Sequence, residues 1–196
     1  SIFQYLSKTI KDLMDIVKKL EEKDVYTKDH SSRLQYYCLK IARKLKISND
    51  NLESIALSAY FHDLGKINVP DYILNKPGKL AREEFEKIKK HPEDGFNMVK
   101  ETMLRPVAEI IKQHHERLDG SGYPLGLKGK EILIEAKIIA VVDSYDAMTS
   151  DRSYRKAVTS KEAMEDLWSL SGTKYDEDVV KALEEVLIEE GILHGN

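Results

Sequence analysis

The residues with the most chemistry to offer are five of the six histidines and two aspartates set in apolar surroundings. His114 and His115 stand side by side in QHHERLDGSGYP, residues 113–124. His62 runs directly into Asp63 within IALSAYFHDLG, and Asp143 lies inside IIAVVDSYDAMT. His30 and His91 stand singly, and His194, close to the C-terminus, reads as a tail residue. A lone histidine is more often structural or solvated than a metal ligand. A carboxylate inside an apolar helix is costly to bury unless something positive holds it. For either aspartate alone an Arg or Lys partner is the better account. Two such acids together with five histidines are better explained by a dinuclear metal site.

Imidazole with carboxylate suits Fe, Mn, Zn, Ni or Co and disfavours a site built for Mg alone. A shared carboxylate such as Asp63 can bridge two ions, and in two-metal hydrolases ions ~3.5–4 Å apart activate a bridging hydroxide. Two divalent ions, two aspartates and one hydroxide leave about one net positive charge, which suits a phosphodiester anion better than a neutral peptide. Consecutive helical residues point ~100° apart, so His114 and His115 can serve different ions, or an ion and its neighbour. Ligated histidines are not free to shuttle protons, which removes an acid–base pair as the alternative. The glycine-rich half of the stretch, Asp119–Pro124, is expected to shape the rim of a cleft or a docking surface. Its Asp119, Gly120, Gly122 and Tyr123 are read as loop-shaping or partner-recruiting rather than metal-touching, and Glu116 and Arg117 as structural.

The elements that must position these residues read as helices throughout. Phe3, Leu6, Ile10, Leu13, Val17 and Leu20 form a heptad stripe over residues 1–22. That stripe fits either a helix lying on its own domain or a coiled-coil connector to a second copy. Further helices are expected at about Lys28–Leu45, started by Thr27 or Asp29, and at about Asn51–Leu64, capped by Asn49-Asp50. GKINVPDYILNKPGKL reads as a loop, followed by a short charged helix over residues 82–90. Pro92 opens a helix to about Met103, and Val107–Arg117 forms the next. Residues 131–147 are apolar nearly all round and predict a central buried helix. Two more are expected at about 160–170 and 176–190, giving an all-α bundle.

Composition narrows the function classes. The chain is 41% apolar and 33% charged, with a net charge of −3, so no basic field points to a nucleic-acid polymer. The single cysteine, Cys38, excludes a disulfide framework and a cysteine-based zinc site, and reads as a buried side chain in a reducing compartment. No apolar run approaches the ~20 residues that span a bilayer, and no signal peptide is visible. A cytoplasmic location is therefore expected. The sequence starts at Ser1 rather than Met, as a piece of a longer protein would.

Taken together, AYFHDLGKINVPDYILNKPGKL, HPEDG, HHERLDGSGYP and VVDSYDAMTSDRSYRKA resemble the HD-GYP subgroup of the HD phosphohydrolase superfamily. DVYTKDHSSRL at 24–34 resembles its opening motif and SGTKYDEDVV at 171–180 its closing one. The resemblance covers about residues 20–190, and the order of the motifs makes it specific. It divides the chain into an N-terminal helix, 1–22, and an HD-GYP domain, 23–196. It implies an all-α bundle around two divalent metals, three in some members, with iron or manganese commonest. It implies a bacterial phosphodiesterase that cuts cyclic di-GMP to pGpG, in some cases onward to GMP. Its metal ligands fall on His30, His62, Asp63, His91, His114, His115 and Asp143, with Asp63 bridging. Its substrate contacts fall on Asp24, Lys66, Arg152 and Arg155.

One position departs from the three-metal pattern. Tyr26 stands four residues before His30, where those members carry a glutamate. Tyr is a poor ligand for these ions, which argues for two metals and against efficient cleavage of pGpG to GMP. The resemblance sets Asp63 and Lys66 at the chemistry. Lys66 would stabilise charge developing on phosphate and is one candidate for protonating the leaving oxygen; as a bare residue it also reads as an exposed lysine following a helix-capping glycine. Arg152 and Arg155 share a face if their segment is helical. Tyr154 suits either a guanine stack or the core. Asp146 suits a salt bridge or a hydrogen bond to a ligand histidine. Further implied partners are a GGDEF-type diguanylate cyclase at the GYP loop and a second copy along residues 1–22. The competing readings are an HD hydrolase of another cyclic dinucleotide, a diiron oxygenase, and a non-catalytic sensing or interaction module.

Overall fold

The computed structural model describes residues 1–24, 29–152 and 155–195. Tyr26, Thr27, Lys28 and Tyr154, to which expectations were attached, lie outside the described residues, as does the side chain of Leu6. The chain forms α1 Ile2–Lys23, α2 His30–Lys44, α3 Asn49–Phe61, α4 Asp71–Leu74 and α5 Arg82–Ile88. It continues through α6 His91–Val99, α7 Ala108–Gln113, α8 Ile134–Thr149, α9 Ser160–Ser169 and α10 Glu177–Glu189. Among the described residues three short 3₁₀ segments and isolated β-bridges accompany them. The fold is all-α, as the helical periodicity requires.

The centre of the bundle is α8, which touches α2, α3, α7, α9 and α10. Ile138, Ile139, Val141 and Val142 are buried on several sides of it. Each such side chain is worth ~1.5–3 kcal/mol when removed from water. That burial lets α8 carry polar side chains on its remaining face without losing its place. The start of α8 is pinned to the end of α7, where buried Gln113 accepts from the Leu133 amide at 2.8 Å. Helix α1 opens with a capping box between Ser1 and Gln4. Its second half lies on the domain, with Leu13 and Val17 only 7% and 4% exposed. Its first turns leave it, with Ile2 and Phe3 79% and 80% exposed.

Several helix ends differ from the periodicity. Helix α3 has Ser48, not Asn49-Asp50, at its N-cap position, without a side-chain capping bond, and stops at Phe61, so His62 and Asp63 follow the helix instead of lying inside it. A 3₁₀ segment, Leu64–Asn68, continues the chain with Lys66 N donating to Asp63 O at 2.9 Å. The expected loop at 65–80 thus contains this segment and the single turn α4. Helix α6 ends at Val99, where the Thr102 hydroxyl bonds the Val99 carbonyl. Helix α7 stops at Gln113, leaving His114 and His115 just past its end. Residues 152 and 155 form an antiparallel bridge, not a helical face.

The 3₁₀ segment and α6 meet backbone to backbone. A Cβ on Gly65 would lie 1.9 Å from the His91 carbonyl oxygen and 2.7 Å from Gly95 N. This approach brings the start of α6, and so His91, beside Asp63. Gly65→Ala must push the two segments apart, an overpacking defect worth about 3 kcal/mol. Urea unfolding of the variant should show a clearly lowered midpoint; an unchanged midpoint would contradict this contact.

Candidate metal centre

The donor residues stand at helix ends. His30 begins α2, His62 and Asp63 follow α3, His91 begins α6, and His114 and His115 follow α7. Asp143 alone comes from the body of a helix, α8. The last carbonyls of a helix lack intrahelical donors. Three histidines use such carbonyls three residues back. His62 Nδ1 donates to Ala59 O at 2.7 Å, His91 Nδ1 to Ile88 O at 2.7 Å, and His114 Nδ1 to Ile111 O at 2.5 Å. With a proton on Nδ1, each Nε2 turns inward and is the atom left to bind an ion when the imidazole is neutral. His30 is fixed by a side chain instead: Asp146 accepts from its Nδ1 at 2.6 Å. Asp146 is held in turn by Arg33 Nε at 2.6 Å. It sits one helical turn after Asp143, so α8 supplies both a donor and the group that orients another.

Two groups of three donors result, His30–His62–Asp63 and His91–His114–His115, each with its ligand atoms within 4.8 Å of one another. Asp63 joins them. Its Oδ2 is 3.1 Å from His62 Nε2 and 3.7 Å from His30 Nε2, while its Oδ1 is 3.4 Å from His91 Nε2. Asp143 Oδ1 lies 3.5 Å from both His30 and His62 Nε2. Buried His62 Nε2 and Asp63 Oδ1 have no hydrogen-bond partner. His91 and His114 Nε2 are 3.2 Å apart, and both are lone-pair atoms once Nδ1 holds the proton. Unpartnered buried polar atoms converging at these distances are an arrangement that a cation, in place of the proton on His62, resolves. The residues present fit divalent metal ions.

The electrostatics agree. Burial opposes ionisation of Asp63, yet His62 and Lys66 hold its carboxyl well below the usual range. Asp143 is held down likewise, by His30 and His62 against its burial. Burial disfavours charge on His62, but Asp63 and Asp143 outweigh it and raise the imidazole to about 10. Burial, helped by His62 and His91, pushes His114 down to about 3, and burial lowers His115 as well. The cluster keeps two carboxylates ionised and demands positive charge between them.

The centre opens into a cavity of about 860 Å³. Asp24, Lys66 and Arg152 line it, with Lys66 Nζ 3.3 Å from Asp63 Oδ2 and Arg152 Nη1 3.6 Å from Asp24 Oδ2. Arg155 lies outside the lining: it is exposed and donates through Nη2 to the Ala147 carbonyl at 2.8 Å. The Asp119–Pro124 loop is closer to the chemistry than its sequence suggests. The Tyr123 ring stacks on His115 at 4.9 Å and 11° and faces the cavity. Gly122 permits this, because a Cβ there would meet the His115 carbonyl oxygen at 2.4 Å. Buried Glu116 locks the far side of the loop by accepting from Leu125 N and Leu127 N at 2.8 and 2.9 Å. The dense glycines announced a special backbone but not its destination.

The HD domain family model matches residues 14–179. The chain belongs to the HD-domain family. The chain is 42% identical over 175 residues to a cyclic di-GMP phosphodiesterase of Thermotoga maritima, covering 87% of this chain and 48% of the relative. It is 34% identical to 3'3'-cGAMP-specific phosphodiesterase 2 of Vibrio cholerae, covering 91% of this chain and 35% of that one. It therefore spans half or less of the curated relatives it matches. Its fold is shared with Bd1817, an HDG"Y"P protein from Bdellovibrio bacteriovorus, at a TM-score of 0.67 and 24% identity, over 81% of this chain and 51% of that one.

Removing the Asp146 carboxylate frees His30 to turn. Asp146→Ala should weaken Mn²⁺ binding ~10–100-fold, as loss of such orienting groups does. Metal uptake at neutral pH should also release a proton, because His62 must become neutral to bind, and affinity should fall as the pH falls. Titration calorimetry in buffers of different ionisation enthalpy reads both effects; unaltered affinity in the variant would show that Asp146 does not orient a ligand.

Proposed function

We propose that this HD domain holds two divalent ions on His30, His62, Asp63, His91, His114, His115 and Asp143, and cleaves cyclic di-GMP to pGpG. The observation that carries this is Asp63, whose two oxygens face separate donor groups at the floor of a cavity lined with cations. The identity to the Thermotoga maritima cyclic di-GMP phosphodiesterase supports the same substrate. When bound, the ions would supply Lewis acidity toward a phosphate oxygen and an activated water. The donor set suits iron or manganese.

The chain's own residues do the rest. Lys66 is kept protonated, because Asp63 and Asp143 outweigh its burial. It neutralises a phosphate oxygen and holds a proton at Nζ for the leaving oxygen. Arg152 offers its planar fork to phosphate, and Asp24 orients it. Arg155 would contact substrate after releasing the Ala147 carbonyl. Tyr123 packs one face of His115 and keeps water from it.

The remaining readings rest on narrower ground. In residues 1–22, proposed as a connector, exposed Ile2 and Phe3 support pairing with a second copy. A GGDEF-type cyclase at the GYP loop would meet Leu125, since Tyr123 is turned inward. No helix among the described residues is long and apolar enough to cross a membrane; a cytoplasmic location rests on the sequence alone. A second reading, hydrolysis of another cyclic dinucleotide, is supported by the identity to the cGAMP-specific enzyme.

Anaerobically purified protein loaded with Mn²⁺ or Fe²⁺ should turn over cyclic di-GMP. Asp63→Ala should reduce turnover at least ~10³-fold, about 4 kcal/mol of barrier, while far-UV circular dichroism stays unchanged. Retained hydrolysis in that variant would mean the site is misassigned. No turnover of any cyclic dinucleotide by the parent protein would favour a sensing module.

A further inference from the structure

The cavity reaches well beyond the metal centre. Its volume of about 860 Å³ falls in the upper part of the ~300–1,000 Å³ typical of ligand pockets. Its far wall is a strap formed by residues 71–88, running from α4 to α5. Two ion pairs fix the strap: Lys23 Nζ to Asp71 Oδ1 at 3.1 Å, and Lys76 Nζ to Glu84 Oε1 at 2.5 Å. Glu84 also accepts from Ala81 N at 2.8 Å, which closes the turn ahead of α5.

The charges along the cavity are not equivalent. Lys23, Lys66, Lys76 and Arg152 each face a carboxylate partner already. Lys79 and Arg82 line the same cavity, are exposed, and have no carboxylate within ion-pair distance among the described residues. They flank Ala81, whose amide is fixed by Glu84, so the turn that presents them is preorganised. Beside them Phe85 lies on the cavity wall with 46% of its surface exposed. Uncompensated cations next to a half-exposed aromatic ring, which Lys89 Nζ approaches on one face at 5.9 Å, fit a ligand that carries both an anion and a flat ring.

We infer that Lys79 and Arg82 form a second phosphate subsite, which holds the phosphodiester that is not being cleaved, with Phe85 offering a face to a base. This rests on the proposed dinucleotide substrate. A cyclic dinucleotide carries two phosphodiesters, and the donor cluster can act on one at a time. The other must be neutralised elsewhere in the cavity, and the strap is where unpaired positive charge remains. Selectivity for a dinucleotide over a simple diester would then come from the strap, and bond cleavage from the centre.

The test compares cyclic di-GMP with bis(p-nitrophenyl) phosphate, which has a single phosphodiester, on the Mn²⁺-loaded full chain. In Lys79→Ala/Arg82→Ala the ratio of kcat/KM for the two should fall ~100-fold, about tenfold for each charged contact. The loss should appear chiefly in KM for cyclic di-GMP. Lys79→Arg/Arg82→Lys, which keeps both charges, should restore most of it. An unchanged ratio, including an equal loss on both substrates, overturns the subsite while leaving the proposed function intact. If the parent protein cleaves the simple diester but neither binds nor cleaves cyclic di-GMP, the proposed function fails and the subsite falls with it.

Discussion

The centre depends on one repeated interaction, an imidazole Nδ1–H donated to the carbonyl three residues earlier. His62, His91 and His114 all make it, to Ala59, Ile88 and Ile111. Each bond satisfies a carbonyl near the end of a helix, selects one tautomer and aims one lone pair. The backbone therefore orients the donors, and few further side chains are needed. His30 shows the contrast. It begins α2, and its Nδ1 is held by Asp146, which Arg33 holds in turn.

This arrangement requires helices to stop where the donors begin, and the packing supplies the stops. Helix α3 tightens into a 3₁₀ segment immediately after Asp63, and Gly65 lets that segment touch the backbone of α6. Helix α7 ends at Gln113, whose side chain anchors the start of α8. Helix α8 can carry Asp143 and Asp146 because its apolar side chains are buried among neighbouring helices. The cost of ionised carboxylates in that setting is offset by the imidazoles facing them, and by whatever cation lies between.

The donor residues were legible in the sequence because their types are rare and their surroundings conspicuous. Either acid alone, in IIAVVDSYDAMT or directly after a histidine in AYFHDLG, fits an Arg or Lys partner; the two together with five histidines point to a shared site. The all-α class and the buried character of α8 followed from periodicity alone. Helix ends were less legible. Apolar spacing continues through Leu64 and up to Arg117, and a period cannot distinguish an α-helix from the 3₁₀ turn or bend that replaces it. Arg152 and Arg155 looked like one face because a spacing of three is helical only when the backbone is. The stack of Tyr123 on His115 was not legible, since glycines reveal that a chain turns sharply and not what it turns toward. Lys79 and Arg82 carried no signal in the sequence that set them apart from other charged residues.

The donors span the sequence from His30 to Asp143 and come from segments far apart along the chain. A bound ion is thus a reversible cross-link across most of the chain. Ligand held at ~100 times its dissociation constant adds ~2.7 kcal/mol to folding stability, a large share of what a domain of this size has to spare. Metal supply in the cell would then govern how long the protein survives as well as how fast it works. A cell short of the ion would lose the folded chain to proteolysis along with its activity.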